Sequence, residues 1–202
     1  MRALLRLPHR ATYADYLAAE QGSEQRHEFL DGVIVSMAGG SDEHNAIGGR
    51  LGGLLFARLA GTCRYFTPDQ RFWIPATGRG RYSDGSIICG RPEHPPHDGQ
   101  ATTNPVVVLE VLSPSREGDD EGDKRSDFQS QESLRAYVVI AQDQRLVRVY
   151  RRDERGDWLR EAAVYRDGDA FELPTLTATL AVADIYEGIL DAEGRSLLQR
   201  AP

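Results

Sequence analysis

The 202-residue chain predicts an α/β domain with a mixed sheet flanked by helices. Three observations carry that prediction. One is the apolar run Val106, Val107, Val108, Leu109, Val111 and Leu112, bounded by Pro105 and Pro114, which fits a strand buried on both faces and central in its sheet. Another is the helical spacing of Ile47, Leu51, Leu54, Leu55 and Leu59 behind the acidic start Asp42-Glu43. The last is the order helix, hairpin, helix, meander, helix, strands, which belongs to α/β architecture.

The elements follow in order. Thr12 with Asp15 makes an N-cap pair for a helix to about Gln21, with Tyr13, Tyr16 and Leu17 facing inward. His27 to Met37 reads as a hairpin turning at Asp31-Gly32. Ser41 opens the long helix, expected to reach about Ala60. Gly48, Gly49, Gly52 and Gly53 within it cost about 1 kcal/mol each against alanine, which predicts close packing on a sheet or a second subunit. Strands are expected at Cys63 to Phe66, Gln70 to Ile74, Ser83 to Cys89 and Pro105 to Leu112. Residues 91–104 form a polar, proline-rich loop that would hold His94 and His97 too loosely for a metal. A helix from about Asp123 to Glu132 precedes strands Ala136 to Gln142 and Leu146 to Arg151. Trp158 to Tyr165 and Ala170 to Leu173 read as a hairpin around Asp167-Gly168, and Ala183 to Leu190 as a closing helix.

Composition bounds the function. The length fits one domain over residues 1–202, and no apolar stretch approaches a membrane span of roughly 18 residues. Met1 to Pro8 is too short for a signal peptide's apolar region. Cys63 and Cys89 lie far apart and make no metal spacing or disulfide framework, so a reducing, cytoplasmic setting is expected. The net charge of −7 argues against tight non-specific DNA binding, though not against a local site. Arg71, Arg79 and Arg81, and the group Arg145, Arg148, Arg151, Arg152 and Arg155, read as solvated strand and turn residues.

The chemistry centres on Glu110, a carboxylate inside the apolar strand. Such a group needs a cation, a proton or hydrogen bonds to offset its lost water. Asp84 opens a neighbouring strand, and Lys124 follows the glutamate by 124 − 110 = 14 residues. Two hard oxygen ligands and an ammonium suit divalent-metal phosphodiester hydrolysis, because Mg²⁺ takes one or two carboxylates and keeps several waters. The same residues admit a structural reading: Asp84 caps a turn, Glu110 pairs with a core arginine, Lys124 is solvated. A glycosidase-like carboxylate pair is a further alternative, but only Tyr82 and Trp73 offer aromatic platforms near the acids in sequence. Ser113 and Ser115 lack a nucleophile elbow and are expected to cap the loop after the strand.

A succession of segments carries a resemblance: Tyr13-Ala-Asp-Tyr-Leu17, Glu28-Phe-Leu-Asp-Gly-Val33, a helix beginning with His44, Tyr82-Ser-Asp84, Pro105-Val-Val-Val-Leu-Glu110-Val-Leu-Ser-Pro-Ser115, Lys124, Tyr137-Val-Val-Ile140 and Val147-Arg-Val-Tyr150. Over about residues 12–190 the chain resembles the Uma2 family of the PD-(D/E)xK nuclease superfamily. That resemblance implies a restriction-endonuclease-like core, an endonuclease acting on DNA with Mg²⁺ or Mn²⁺, and a homodimer. It implies Asp84 and Glu110 as metal ligands with the Val111 carbonyl, Lys124 as a lysine displaced from the usual position, and Glu28 as an assisting acid. The usual lysine position is Leu112, and Ser83 stands where a proline is customary. His44 matches a recurrent histidine of unsettled role. A catalytically silent nuclease-fold module binding nucleic acid or protein is the alternative.

Overall fold

The computed structural model describes residues 4–5, 10–37, 39–59, 61–112, 120–175, 179–189, 193 and 195–196. Its organising strand is β9 (Val107–Leu112), with all six residues buried. It lies between β10 (Ala136–Ala141), which runs parallel to it, and β7 (Gly85–Cys89), which runs antiparallel. Adding β11 (Leu146–Arg151), β12 (Ala163–Arg166) and β4 (Cys63–Phe66) gives a mixed central sheet in the order β12-β11-β10-β9-β7-β4. The apolar run is therefore central, as its residues require.

Alternation along β9 divides the core into two layers. Val107, Leu109 and Val111 face helix α2 (Asp42–Phe56) through Ile47, Leu51 and Leu55, joined by helix α4 (Val182–Tyr186). Val108 and Leu112 face Phe72, Ile74, Phe128, Leu134 and Tyr137. Each such buried side chain contributes about 1.5–3 kcal/mol of burial free energy, so the two layers clamp β9 from both sides. Phe72 and Ile74 come from β5 (Arg71–Ile74) of a second sheet, which also holds β1 (Leu4–Leu5), β2 (His27–Leu30), β3 (Val33–Ser36), β6 (Arg79–Tyr82) and β8 (Ala101–Thr102). Helix α1 (Tyr13–Gln21), started by a Thr12/Asp15 capping box, packs Tyr16 onto Phe29 and Ile34 of that sheet. Phe128 comes from helix α3 (Arg125–Gln129), entered through a π-helical turn at Asp120–Lys124.

Several expectations are corrected. The long helix ends at Phe56 rather than Ala60, although Leu59 still packs on the core. Of its glycines only Gly52 meets a close neighbour, the Tyr65 ring; Gly48, Gly49 and Gly53 face open space. The helix expected from 123 to 132 is an α-helix only to Gln129. β12 and β13 (Ala170–Phe171) do not pair with each other: β12 pairs with β11, and β13 with β14 (Leu180–Ala181). The closing helix is the short α4. Arg71 and Arg81 are buried, each in ion pairs with distant carboxylates. Ser113 and Ser115 lie outside the described residues.

The cysteine reading also changes. Cys63 and Cys89 are cross-strand partners of β4 and β7, and a disulfide joins them with the Cα atoms 3.8 Å apart. A separation of 26 residues in sequence gave no hint of this register. The bond removes the support that two separate thiols gave to a reducing compartment. Among the described residues, no helix is long and apolar enough to cross a membrane.

Candidate active site

Register brings the two acids together. Gly85 pairs with Leu109, so Asp84, one residue before β7, lies beside the Leu109–Val111 stretch of β9 that contains Glu110. The Asp84 N–H donates to the Leu109 carbonyl at 3.1 Å, and its Oδ2 accepts the Val111 N–H at 2.7 Å. In a strand the N–H and C=O of one residue point to the same side, so the Val111 carbonyl also faces the edge where Asp84 sits. The antiparallel β7/β9 pairing thus places Asp84, Glu110 and the Val111 carbonyl at one end of the two strands.

The lysine arrives from another element. Lys124 closes the π-helical turn and places Nζ 2.7 Å from Glu110 Oε2, with both side chains buried. Single π turns recur at functional sites, because the wider turn re-aims one side chain without ending the helix. His44, at the first turn of α2, sets Nε2 3.1 Å from Asp84 Oδ2. The Ser41 hydroxyl holds that turn by accepting the His44 N–H at 3.3 Å. Burial by itself would raise the Asp84 pKa. The His44 hydrogen bond, the Lys124 charge and the Val111 N–H outweigh it, and the carboxyl lies below its ordinary value.

Glu28 sits on β2, buried, where its Oε2 meets Arg81 Nη1 at 3.3 Å and its Oε1 accepts the Tyr82 N–H at 3.4 Å. Arg81 in turn donates through Nε to Asp127 Oδ2 at 2.7 Å. Asp127 lies one helical turn after Lys124 on α3, and it also accepts from Arg79 Nη1 at 3.2 Å and from the Thr77 hydroxyl at 3.2 Å. This cluster fastens the lysine-bearing segment to β6. Sequence reasoning missed Asp127 and the burial of Arg81, and no local signal marks either, because their partners lie 46 positions apart.

Among the described residues no three His, Cys, Asp or Glu side chains gather so as to hold a metal ion. The set at hand is two carboxylates and a carbonyl, all hard oxygen donors. It matches the sparse protein ligation of Mg²⁺ or Mn²⁺, which retain water, rather than the full protein cage of a structural zinc. His94 and His97 take no part: the His94 ring bonds to the Ala101 carbonyl at 2.7 Å, and His97 packs its ring against Tyr13 and Trp73.

The chain is similar to several known proteins. The family model Uma2, described as "Putative restriction endonuclease", matches residues 13–183. An uncharacterized protein of Synechocystis sp. is 32% identical over 179 residues, covering 87% of this chain and 90% of the relative. A second uncharacterized Synechocystis protein is 34% identical over 152 residues, covering 73% of this chain and 84% of that protein. The crystal structure of a protein described as a putative nuclease of DUF820, from Anabaena variabilis, superposes with a TM-score of 0.67 at 17% identity, over 83% of this chain and 93% of that one. At that identity the likeness establishes a shared fold.

Proposed function

The chain belongs to the Uma2 family, and on that premise we propose that it is a Mg²⁺- or Mn²⁺-dependent phosphodiester hydrolase acting on DNA. The observation that carries the reading is that Asp84 bonds to the backbone of Leu109 and Val111, on either side of Glu110, with the Lys124 ammonium on the second acid. Asp84 and Glu110, with the Val111 carbonyl, would hold the ion. When bound, such an ion supplies a more acidic water and neutralises charge on the phosphate. Lys124 orients the attacking water by hydrogen bonding and offsets charge developing on phosphorus. Glu28 assists from behind, through Arg81 and the Tyr82 backbone, by fixing the strand that delivers Asp84. We place the chain in the cytoplasm on the strength of the DNA substrate alone.

The test is cleavage of supercoiled plasmid in Mg²⁺ or Mn²⁺ by wild type and by Asp84→Ala, Glu110→Ala and Lys124→Ala. Loss of a ligand should remove most of the rate, and equal activity in all four proteins would reject the assignment. We further propose a homodimer through the outer face of α2, where Phe56 is 80% exposed beside Gly49 and Gly53. Light scattering that gives a monomer at micromolar concentration rejects it.

A second reading rests on a specific observation. Lys124 already sits in direct contact with Glu110, and Arg81 with Glu28, so both acids have protein cations. A silent nuclease-fold module that binds nucleic acid or protein would need nothing more. Calorimetric titration with Mn²⁺ separates the two, since absence of binding at millimolar ion selects the silent module.

A further inference from the structure

Tyr65 lies on the edge strand β4, opposite Ile87 of β7, and so faces α2. Its ring occupies a slot made by two glycines on two different elements. A Cβ at Gly85, next to Asp84, would stand 2.8 Å from the Tyr65 hydroxyl oxygen. A Cβ at Gly52 of α2 would stand 3.1 Å from the ring edge. Glycine inside a helix costs about 1 kcal/mol, and at Gly52 the cost secures room for this ring.

The hydroxyl sits beside the proposed site. The contact with Gly85 puts the hydroxyl next to the residue that follows Asp84, and a phenol is a protonated donor at neutral pH. Among the described residues, no hydrogen-bond partner takes that proton. Packing alone would be met by phenylalanine. A neutral donor beside a carboxylate that would ligate a cation is instead the kind of group that binds a phosphate oxygen, as tyrosine hydroxyls do along nucleic-acid backbones.

We propose that Tyr65 is a substrate-binding residue, its phenol O–H donating to a non-bridging phosphate oxygen of the DNA strand held beside Asp84. The assignment rests on the phosphodiesterase reading above. It makes the slot formed by Gly52 and Gly85 a positioning element, tying the edge strand to the substrate backbone.

The experiment compares wild type with Tyr65→Phe, which keeps the ring and removes only the donor. Binding of a short fluorescein-labelled DNA duplex is followed by anisotropy in Ca²⁺, cleavage in Mn²⁺, and Mn²⁺ affinity by calorimetry. Tyr65→Phe is expected to keep its melting temperature and Mn²⁺ affinity while duplex affinity falls about tenfold, the size of one lost hydrogen bond to a charged group. Equal duplex affinity and cleavage in the two proteins overturn the role of Tyr65 and leave the nuclease reading standing. A parallel fall in melting temperature and Mn²⁺ affinity also overturns it, in favour of packing. A wild type that binds the duplex without cutting rejects hydrolysis, while the affinity comparison still decides Tyr65. A wild type that does neither overturns both.

Discussion

Lys124 and Glu110 form a buried ion pair at 2.7 Å although one belongs to the central strand and the other to a helical turn beyond it. A buried carboxylate stripped of its cation is costly, whereas a matched apolar pair is not. Lys124→Met should therefore destabilise the metal-free protein by about 3–5 kcal/mol, with most of that recovered in the Lys124→Met/Glu110→Leu double variant. Urea denaturation of wild type, Lys124→Met, Glu110→Leu and the double variant checks this. Additive losses would mean that the pair is not coupled.

Asp127 gathers Arg79, Arg81 and Thr77 onto α3. Asp127→Ala removes the shorter of the two carboxylate contacts of buried Arg81 and leaves Glu28 as its partner, so a loss of about 1–3 kcal/mol is expected in denaturant titrations. Because Lys124 rides on the same segment, plasmid cleavage should fall even where the variant remains folded.

Acid sensitivity follows from Asp98. Burial alone would raise its pKa. The Arg71 guanidinium at 2.8 Å on both oxygens, the Gln100 N–H and the Tyr13 hydroxyl outweigh that, and the carboxyl is held below its ordinary value. A depressed folded pKa stabilises above the unfolded value, about 3.9, and that stabilisation is lost as pH falls through the folded value. Asp98→Asn should be less stable than wild type at neutral pH, and the difference should shrink below about pH 4. Melting temperatures from pH 2 to pH 7, roughly, would show this, and a constant gap would refute it.

The Cys63–Cys89 bond closes a 26-residue separation, for which chain entropy gives about 3 kcal/mol of stabilisation. Reduction, or the double Cys→Ser variant, should lower the melting temperature by several degrees. Unchanged melting on reduction would show that the bond contributes nothing to the folded state.

The parts legible in the sequence are those whose cause is local. Burial on both faces wrote β9 as a continuous apolar run, and Asp31-Gly32 marks the β2–β3 hairpin because both residues take positive φ, 51° and 84°. The positions of Asp84, Glu110 and Lys124 could be named, because a carboxylate inside such a run demands a partner. β6, Arg79-Gly-Arg-Tyr82, escaped because its arginines are hydrophilic in isolation and Arg81 is buried only through Glu28 and Asp127. Register across β4 and β7 is likewise not local, so the disulfide and the Tyr65 slot were invisible.

Leu112 occupies the place two residues after Glu110, 3% exposed among Phe128, Tyr137 and Val139. Delivering the ammonium from a separate segment frees the strand to close over with a hydrocarbon there. Transplanting the amine by Leu112→Lys/Lys124→Leu should produce an unfolded chain by circular dichroism rather than a relocated activity, because the graft would sink a cation into an aromatic pocket.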